Sequence, residues 1–205
     1  MIVLSAWSRR TGRCFPKRSH TNLFQFFLIL SLASWTSAHG QQKYSIDPGK
    51  GRINFASNAQ LELIKASSDK VQGLIDPQTR QFAFSVDIRS FVGFNSELQR
   101  EHFNEKYMES EKFPKARFSG KIIEDIDFST DGIYDVRAKG ELEIHGRKQT
   151  RIIRGKVTVR NGSLDVQSNF IVPLADHNIS IPNIVNQKIA TEIEVDFNAA
   201  MNPQR

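Results

Sequence analysis

The chain has 205 residues, with 28 Lys and Arg against 22 Asp and Glu and a single cysteine. This length suits one domain with a core of its own plus a short extra segment. Five cations fall within residues 9–18, so the rest of the chain carries 23 Lys and Arg against 22 acids. The basic balance therefore gives no reason to expect a nucleic-acid partner. One cysteine excludes an internal disulfide framework and a cysteine-ligated metal site.

Residues 1–40 have the order of a secretory signal peptide. A basic stretch comes first, an apolar run over 23–32 follows, and small residues occupy 33–38. We predict cleavage between Ala38 and Gln41, which removes Cys14 and leaves a mature domain of residues 41–205 in the periplasm or secreted. The alternative is a retained membrane anchor, but the apolar run is shorter than the roughly 20 residues of a spanning helix.

After the leader, apolar and polar residues alternate, which predicts strands with one dry and one wet face. The first strands are predicted at 44–47 and 52–56, separated by Pro48-Gly49. Further strands are predicted at 59–65, 70–75 and 81–89. In the last of these, Phe82, Phe84 and Val86 share one face.

The alternation stops over residues 96–110, where the composition favours a helix. Asn95 or Ser96 is suited to cap its N-terminus, and Pro114 ends the segment. This is the one helix predicted in the mature chain. Its many acidic side chains are interpreted as a solvated face.

Strands resume at 115–124, 132–144, 151–160 and 164–172, and after a loop over 173–187 a final strand is predicted at 189–198. Asn161-Gly162 is a strong hairpin signal because both residues tolerate positive φ. Tight turns join antiparallel neighbours. About eight to ten strands in this order favour an all-β fold, a closed antiparallel barrel of about eight strands with one helical insertion, over a sandwich.

The residue pattern leaves open whether this barrel is hollow. Gly120, Gly140 and Gly155 fall on the inward register of three consecutive strands, while aromatic residues dominate elsewhere on the same face. An eight-stranded barrel either fills with its own side chains or holds one small ligand. The glycines are equally consistent with bends or bulges.

No catalytic, cofactor or metal site is predicted. His102, His145 and His177 lie in a helix, a turn and a loop without the spacing of metal ligands. Each is expected to be a surface or capping residue. An enzyme is not predicted, because no nucleophile elbow or phosphate-binding loop is present.

Several strings in order resemble the YceI-like family of exported, lipocalin-like, polyisoprenoid-binding proteins. They are Tyr44-Ser45-Ile46-Asp47, Val71-Gln72-Gly73 before Phe82-Ala83-Phe84, Arg100-Glu101-His102-Phe103 before Phe113-Pro114, and Gly140-Glu141-Leu142-Glu143-Ile144-His145-Gly146. The resemblance spans residues 44–197. It implies an eight-stranded barrel with a helical insertion that holds a long isoprenoid or similar lipid.

These observations predict an exported protein that carries or sequesters a long-chain lipid or isoprenoid. The predicted ligand-binding residues are Phe55, Phe82, Phe84, Phe103, Tyr107, Phe118, Gly120, Ile122, Gly140, Leu142, Gly155, Val157, Phe170 and Phe197. The alternative is an exported stress-response or structural protein whose filled barrel acts through protein–protein contacts. Contact with a membrane surface and formation of a dimer are left open.

Overall fold

The computed structural model describes residues 42–204, so the predicted signal peptide lies outside the described residues. Nine strands make one sheet, in the order β2-β1-β3-β4-β5-β6-β7-β8-β9, and every pairing is antiparallel. The strands are β1 Tyr44–Asn58, β2 Leu63–Ser68, β3 Val71–Ile75, β4 Gln81–Asp87, β5 Lys115–Ile122, β6 Gly132–Ile144, β7 Arg147–Arg160, β8 Ser163–Pro173 and β9 Glu192–Pro203.

The sheet closes on itself because β1 also pairs with β9. That pairing occupies one edge of β1, so β2 and β3 share the other edge, end to end. Nine strands therefore fill eight positions around the barrel. The predicted closed antiparallel barrel of about eight strands is confirmed, and closure leaves no long unpaired edge at the β1–β9 seam.

The first two predicted strands are one strand. β1 runs through Pro48-Gly49, and its register against β9 shifts between Ile46 and Gly51. Gly49 takes a left-handed φ of 74°, so the residues that predicted a turn form an irregularity within the strand. The next strand also begins later than predicted, at Leu63, because residues 59–62 form a turn closed by Ala59 N–H to Glu62 O.

Two tight hairpin turns join the strands of the wall, and the one at Asn161-Gly162 confirms its sequence signal. His145-Gly146 joins β6 to β7, and Asn161-Gly162 joins β7 to β8. All four residues have positive φ, between 49° and 74°. This backbone twist matches that of paired strands, and it explains the Asn-Gly preference.

The helical insertion is shorter than the predicted 96–110. The α-helix α1 covers Glu97–His102 and continues as one π-helical turn over Phe103–Tyr107. Ser96 caps it, because its hydroxyl accepts a hydrogen bond from Gln99 N–H at 3.2 Å. Among residues 42–204, no helix has the length and apolar composition needed to cross a membrane.

The connection before β9 is longer than predicted and is folded into two 3₁₀ turns, Leu174–His177 and Asn183–Val185. The predicted start of the last strand at Ile189 was therefore wrong. Ile189 N–H bonds to Val185 O at 3.2 Å, which holds it in the loop, and the strand begins at Glu192.

Candidate ligand-binding cavity

A cavity of about 540 Å³ lies inside the barrel, and its lining reaches from Ile75 and Ile122 to Leu98 and His102 of α1. This volume lies within the roughly 300–1,000 Å³ typical of small-molecule sites. Its walls are the inward faces of the strands, with aliphatic side chains such as Val86, Leu142, Val157 and Val195. The alternating pattern of the sequence therefore produces a largely apolar chamber.

Four phenylalanines form an aromatic group at the α1 end, which we term the mouth cluster: Phe55, Phe91, Phe94 and Phe103. Phe103, from the π-helical turn, stacks on Phe55 of β1 with ring centroids 5.4 Å apart. Phe94 contacts the same Phe103 ring at 5.1 Å. The helical insertion is therefore held over the cavity by aromatic contacts of the kind worth about 0.5–1.5 kcal/mol each beyond burial.

A second aromatic group lies on the wall of the cavity. Phe82 packs against Phe118 with ring centroids 4.9 Å apart, and Phe84 packs edge-on against Phe197 at 5.0 Å. Gly73 makes room for the Phe84 ring, because a Cβ at this position would lie under 3.0 Å from it. A glycine in β3 thus lets a large ring stand inside the barrel.

The opposite end of the barrel is filled, and we term it the blind end: Tyr44, Ile126, Phe128, Leu164 and Met201. All five are buried, Leu164 and Met201 almost completely, and none lines the cavity. The rings of Tyr44 and Phe128 lie 6.1 Å apart. Burial raises the pKa of the Tyr44 phenol. The cavity therefore has a closed floor and a single helix-covered end.

Polar side chains lie around the helix-covered end. Gln99 of α1 donates a hydrogen bond to the Glu62 carboxylate, and Asn95 Nδ2 donates to Leu63 O at 3.1 Å. His102 and Lys188 also reach the cavity lining. These groups join α1 to the loop before β2 and give the apolar chamber a polar rim.

The π-helical turn presents its own side chains to the cavity. Asn104 Nδ2 donates to Arg100 O at 2.9 Å, which ties the turn to α1. Tyr107 lines the chamber, and burial raises the pKa of its phenol. π-helical turns are rare, and they occur frequently at functional sites.

Comparison with known proteins assigns this barrel to a protein family. The model of the YceI-like domain matches residues 44–201. The chain belongs to the YceI-like family. No curated protein sequence matches it.

Solved structures of YceI-like and related barrels share the fold. A polyisoprenoid-binding domain from Saccharophagus degradans, implicated in plant cell wall breakdown, is 18% identical with a TM-score of 0.65, covering 78% of this chain and 98% of that one. Burkholderia cenocepacia BcnA is 15% identical with a TM-score of 0.63, covering 76% and 98%. The Campylobacter jejuni YCEI protein is 14% identical with a TM-score of 0.50, covering 78% and 87%. At these identities the likeness shows the fold alone.

In this YceI-like barrel, twelve of the predicted ligand-binding residues line the cavity. They are Phe55, Phe82, Phe84, Phe103, Tyr107, Phe118, Ile122, Leu142, Gly155, Val157, Phe170 and Phe197. Gly120 and Gly140 are not in the lining. That any of these residues contacts a ligand stays a prediction.

A structural constraint other than ligand contact explains why positions 120 and 140 are glycine. They are direct partners in the β5–β6 ladder. A Cβ on Gly120 would lie under 3.0 Å from Lys139 O, and one on Gly140 equally close to Ser119 O. The two glycines therefore allow close approach of neighbouring backbones, whereas the alternative left open by the sequence was a bend or a bulge, and the β5–β6 register has no shift here.

The lining residues outside the regular strands were not predicted from the sequence. Phe91 and Phe94 precede the helix cap, and Leu174, Ile179 and Ile189 belong to the connection before β9. They do not alternate, so strand periodicity gives no signal for them. The residues predicted at this end, Phe103 and Tyr107, belong to the helical insertion.

The three histidines do not converge. His102 reaches the cavity rim, whereas His145 and His177 meet under the β6–β7 turn, with His145 Nδ1 donating to His177 O at 3.2 Å. His177 is completely buried, so its expected place at the surface was wrong. Its Nδ1 donates to Arg147 O at 3.2 Å, and burial lowers the pKa of its imidazole. Residues 42–204 contain no cluster of His, Cys, Asp or Glu suited to a metal ion.

Proposed function

We propose that this protein is an exported binding protein that carries or sequesters a polyisoprenoid or another long-chain lipid in its barrel. The observation that carries the proposal is the apolar cavity of about 540 Å³, closed at the blind end and covered by α1 at the other. The filled-barrel alternative predicted no such space. The similar domain from Saccharophagus degradans, described as polyisoprenoid-binding, supports the same class of ligand.

The chemistry of the lining suits a flexible hydrocarbon chain. Burying apolar area contributes about 25 cal/mol per Å², so a chain enclosed on all sides gains several kcal/mol after its ordering is counted. Phenylalanine rings and branched aliphatic side chains contact such a chain without leaving polar groups unpaired.

The polar rim gives the ligand an orientation. Its hydrocarbon end points to the blind end, where no polar partner is needed. Its head group lies near Gln99, His102 and Lys188, which offer hydrogen-bond donors at the helix-covered end. The insertion with Phe103 acts as a cover that must shift when the ligand enters or leaves.

The test is native mass spectrometry of the mature protein purified from an exporting host, followed by solvent extraction and lipid identification. We expect a stoichiometric long-chain species that is released on unfolding. A ligand-free protein that also takes up no polyprenol or quinone on titration contradicts the proposal. The same spectrum gives the mass of the N-terminus, and a start between Ala38 and Gln41 supports export to the periplasm or the exterior.

A further inference from the structure

Strands β7 and β8 pair over only part of their length. β7 pairs with β6 as far as the turn at His145-Gly146, but its ladder with β8 ends at Lys156 and Gln167. Beyond that point β8 continues to pair with β9 as far as Pro173. A slot in the backbone ladder therefore separates residues 147–155 from residues 168–173.

Side chains bridge this slot in place of the ladder. The Ser168 hydroxyl donates to Arg154 O at 2.7 Å. The Arg151 guanidinium donates to Ile171 O at 2.9 Å and to the Asp176 carboxylate at 2.9 Å.

Two further bonds join the same part of β7 to the 3₁₀ turn after β8: Gln149 Nε2 donates to Asp176 O at 2.7 Å, and His177 Nδ1 donates to Arg147 O. All these bridges are side-chain bonds that open by side-chain rotation, whereas opening a ladder requires the loss of every backbone bond in it.

The cavity reaches the slot from inside. Its lining includes Ile153 and Gly155 on β7 and Ser168 and Phe170 on β8. The slot is therefore a second approach to the cavity, through the barrel wall. The first approach is the end covered by α1.

The outer surface beside the slot carries exposed isoleucines. Ile152 of β7 is 58% exposed and Ile171 of β8 is 47% exposed, one on each side of the slot. Ile133 of β6 is 67% exposed further along the same surface. Single exposed apolar residues are common, but Ile152 and Ile171 flank the same slot.

Lysine and arginine side chains lie among these isoleucines, and several of them face a like charge across a ladder. Lys121 lies directly opposite Lys139 in the β5–β6 ladder, and Arg137 lies directly opposite Arg154 in the β6–β7 ladder. Like charges in such positions are destabilising. Of these four, only Arg137 forms an ion pair within residues 42–204, at 2.7 Å from Glu124.

The remaining charges of this face leave it positive. Lys156 lies opposite Asp135 in the ladder, without an ion pair between them. The face thus holds five cations. Four acids lie on the same outward side: Glu124, which pairs with Arg137, Glu141, which pairs with Lys148 at 3.2 Å, Asp135 and Asp165. We term it the basic face: Lys121, Ile133, Arg137, Lys139, Ile152, Arg154, Lys156 and Ile171.

We infer that the basic face docks on an anionic lipid bilayer and presents the β7–β8 slot to it. Lys and Arg attract anionic head groups, and exposed isoleucines insert among them, which is the combination used by proteins that lie on membrane surfaces. Docking by itself does not require the carrier function. Passage of a lipid from the bilayer through the slot rests on the proposed function.

The test measures binding of the full mature protein to vesicles by flotation. We expect binding to vesicles of phosphatidylglycerol and phosphatidylcholine, weak binding to phosphatidylcholine alone, and loss of most binding at 1 M salt, where charges are screened beyond about 3 Å. The Lys139→Glu/Arg154→Glu double variant should bind at least about 25-fold more weakly, since each cation near such a surface is worth roughly fivefold. Both substitutions create opposite-charge pairs in the ladder, so the fold is expected to be retained.

The matched control is Lys50→Glu/Arg52→Glu, with the same change in net charge on β1, across the barrel from β6. We expect it to change vesicle binding by less than about twofold, since it leaves the basic face intact. Equal losses in both double variants, or no binding of the wild type to anionic vesicles, overturns the inference. Preference for an acidic protein or a nucleic acid over the vesicles overturns it as well. Vesicle binding by a protein that extracts no lipid separates a failure of the carrier proposal from a failure of docking.

Discussion

At the blind end, Leu164 and Met201 are 1% and 0% exposed and pack without a cavity, whereas at the mouth cluster Phe55, Phe94 and Phe103 remain partly exposed around an open chamber. The same strands form the wall at both ends of the barrel. The two ends differ in the segments that cover them. The blind end is covered by residues 126 and 128 of the β5–β6 connection, and the mouth by a short helix, a π-helical turn and two 3₁₀ turns.

This difference separates stability from binding within one barrel. Interiors are normally packed to the density of organic crystals, and each void removes contacts that would stabilise the fold. The chamber near α1 is therefore a cost in stability, which the tightly packed blind end and the long ladders offset. Changes at the two ends should then affect different measured quantities.

The largest expected effect on stability is at the blind end. Leu164→Ala removes a side chain that is 1% exposed, and we expect the free energy of unfolding to fall by about 2–5 kcal/mol. Urea unfolding monitored by circular dichroism measures it. The control Ile184→Ala, at a residue 91% exposed, should stay within about 0.5 kcal/mol of the wild type. A loss of lipid affinity without loss of stability in Leu164→Ala would contradict the assignment of the two ends.

The sequence predicted the walls of the barrel better than either of its ends. Strands such as β6 could be predicted because alternation and hairpin turns are local signals, and Gly132–Ile144 was predicted to the residue. β1 was divided wrongly because Pro48-Gly49 signals a turn, and only the pairing with β9 on both sides of these residues overrides that signal.

The mouth depends on contacts between segments distant in sequence. Leu61 N–H bonds to Gln187 O at 2.8 Å, and Ala190 N–H bonds to the Ser57 hydroxyl at 2.9 Å. These contacts fix loops that have no periodicity, so their lining residues could not be predicted. The end of the β7–β8 ladder at Lys156 and Gln167 could not be predicted either. Both strands were predicted to extend beyond that point, at 151–160 and 164–172, so the sequence gives no sign that pairing stops there.

Gly120 and Gly140 lie in the wall between the two ends, where a substitution should affect stability rather than binding. Gly140→Ala places a Cβ under 3.0 Å from Ser119 O, so β5 and β6 must separate. We expect a loss of about 1–3 kcal/mol in the free energy of unfolding. Ser119→Ala, on the exposed face of the same ladder, is the control and should be near neutral. If Gly140→Ala instead weakens lipid binding at unchanged stability, the glycine is a ligand contact after all.

Filling the chamber should affect binding rather than stability. Ala138 lines the cavity on β6, and Ala138→Leu places three more carbons inside it. We expect at least about a tenfold loss in affinity for retinol, a fluorescent isoprenoid alcohol, equivalent to about 1.4 kcal/mol. Unfolding free energy should change by less than about 1.5 kcal/mol, because the cavity accommodates the added volume.

Ala83→Leu is the matched control for this prediction, since Ala83 lies on the exposed face of β4. It adds the same carbons outside the barrel and should leave retinol affinity unchanged. Unaltered affinity in both variants would show that the probe binds elsewhere on the protein.

The smallest expected effect is a dependence on pH that is confined to the helix-covered end. His177 is fully buried beside the β6–β7 turn, in the 3₁₀ turn that carries Leu174 into the cavity lining. Burial lowers the pKa of its imidazole below the ordinary value of about 6.5, so the unfolded chain takes up the proton first as the pH falls. Its contribution to stability is therefore present above that value and is lost as the pH falls through the folded pKa.

Hydrogen exchange at pH 7.5 and pH 5 can locate this effect. We expect residues 174–179 to lose protection at pH 5 while the amides of Tyr44 and Ile46, which belong to the strand entering the blind end, keep theirs. His177→Gln cannot take up a proton, and it should remove the difference between the two pH values while keeping a donor for Arg147 O. Equal loss of protection at both ends in the wild type would mean that acid acts on the whole barrel, and that the mouth does not open independently of its floor.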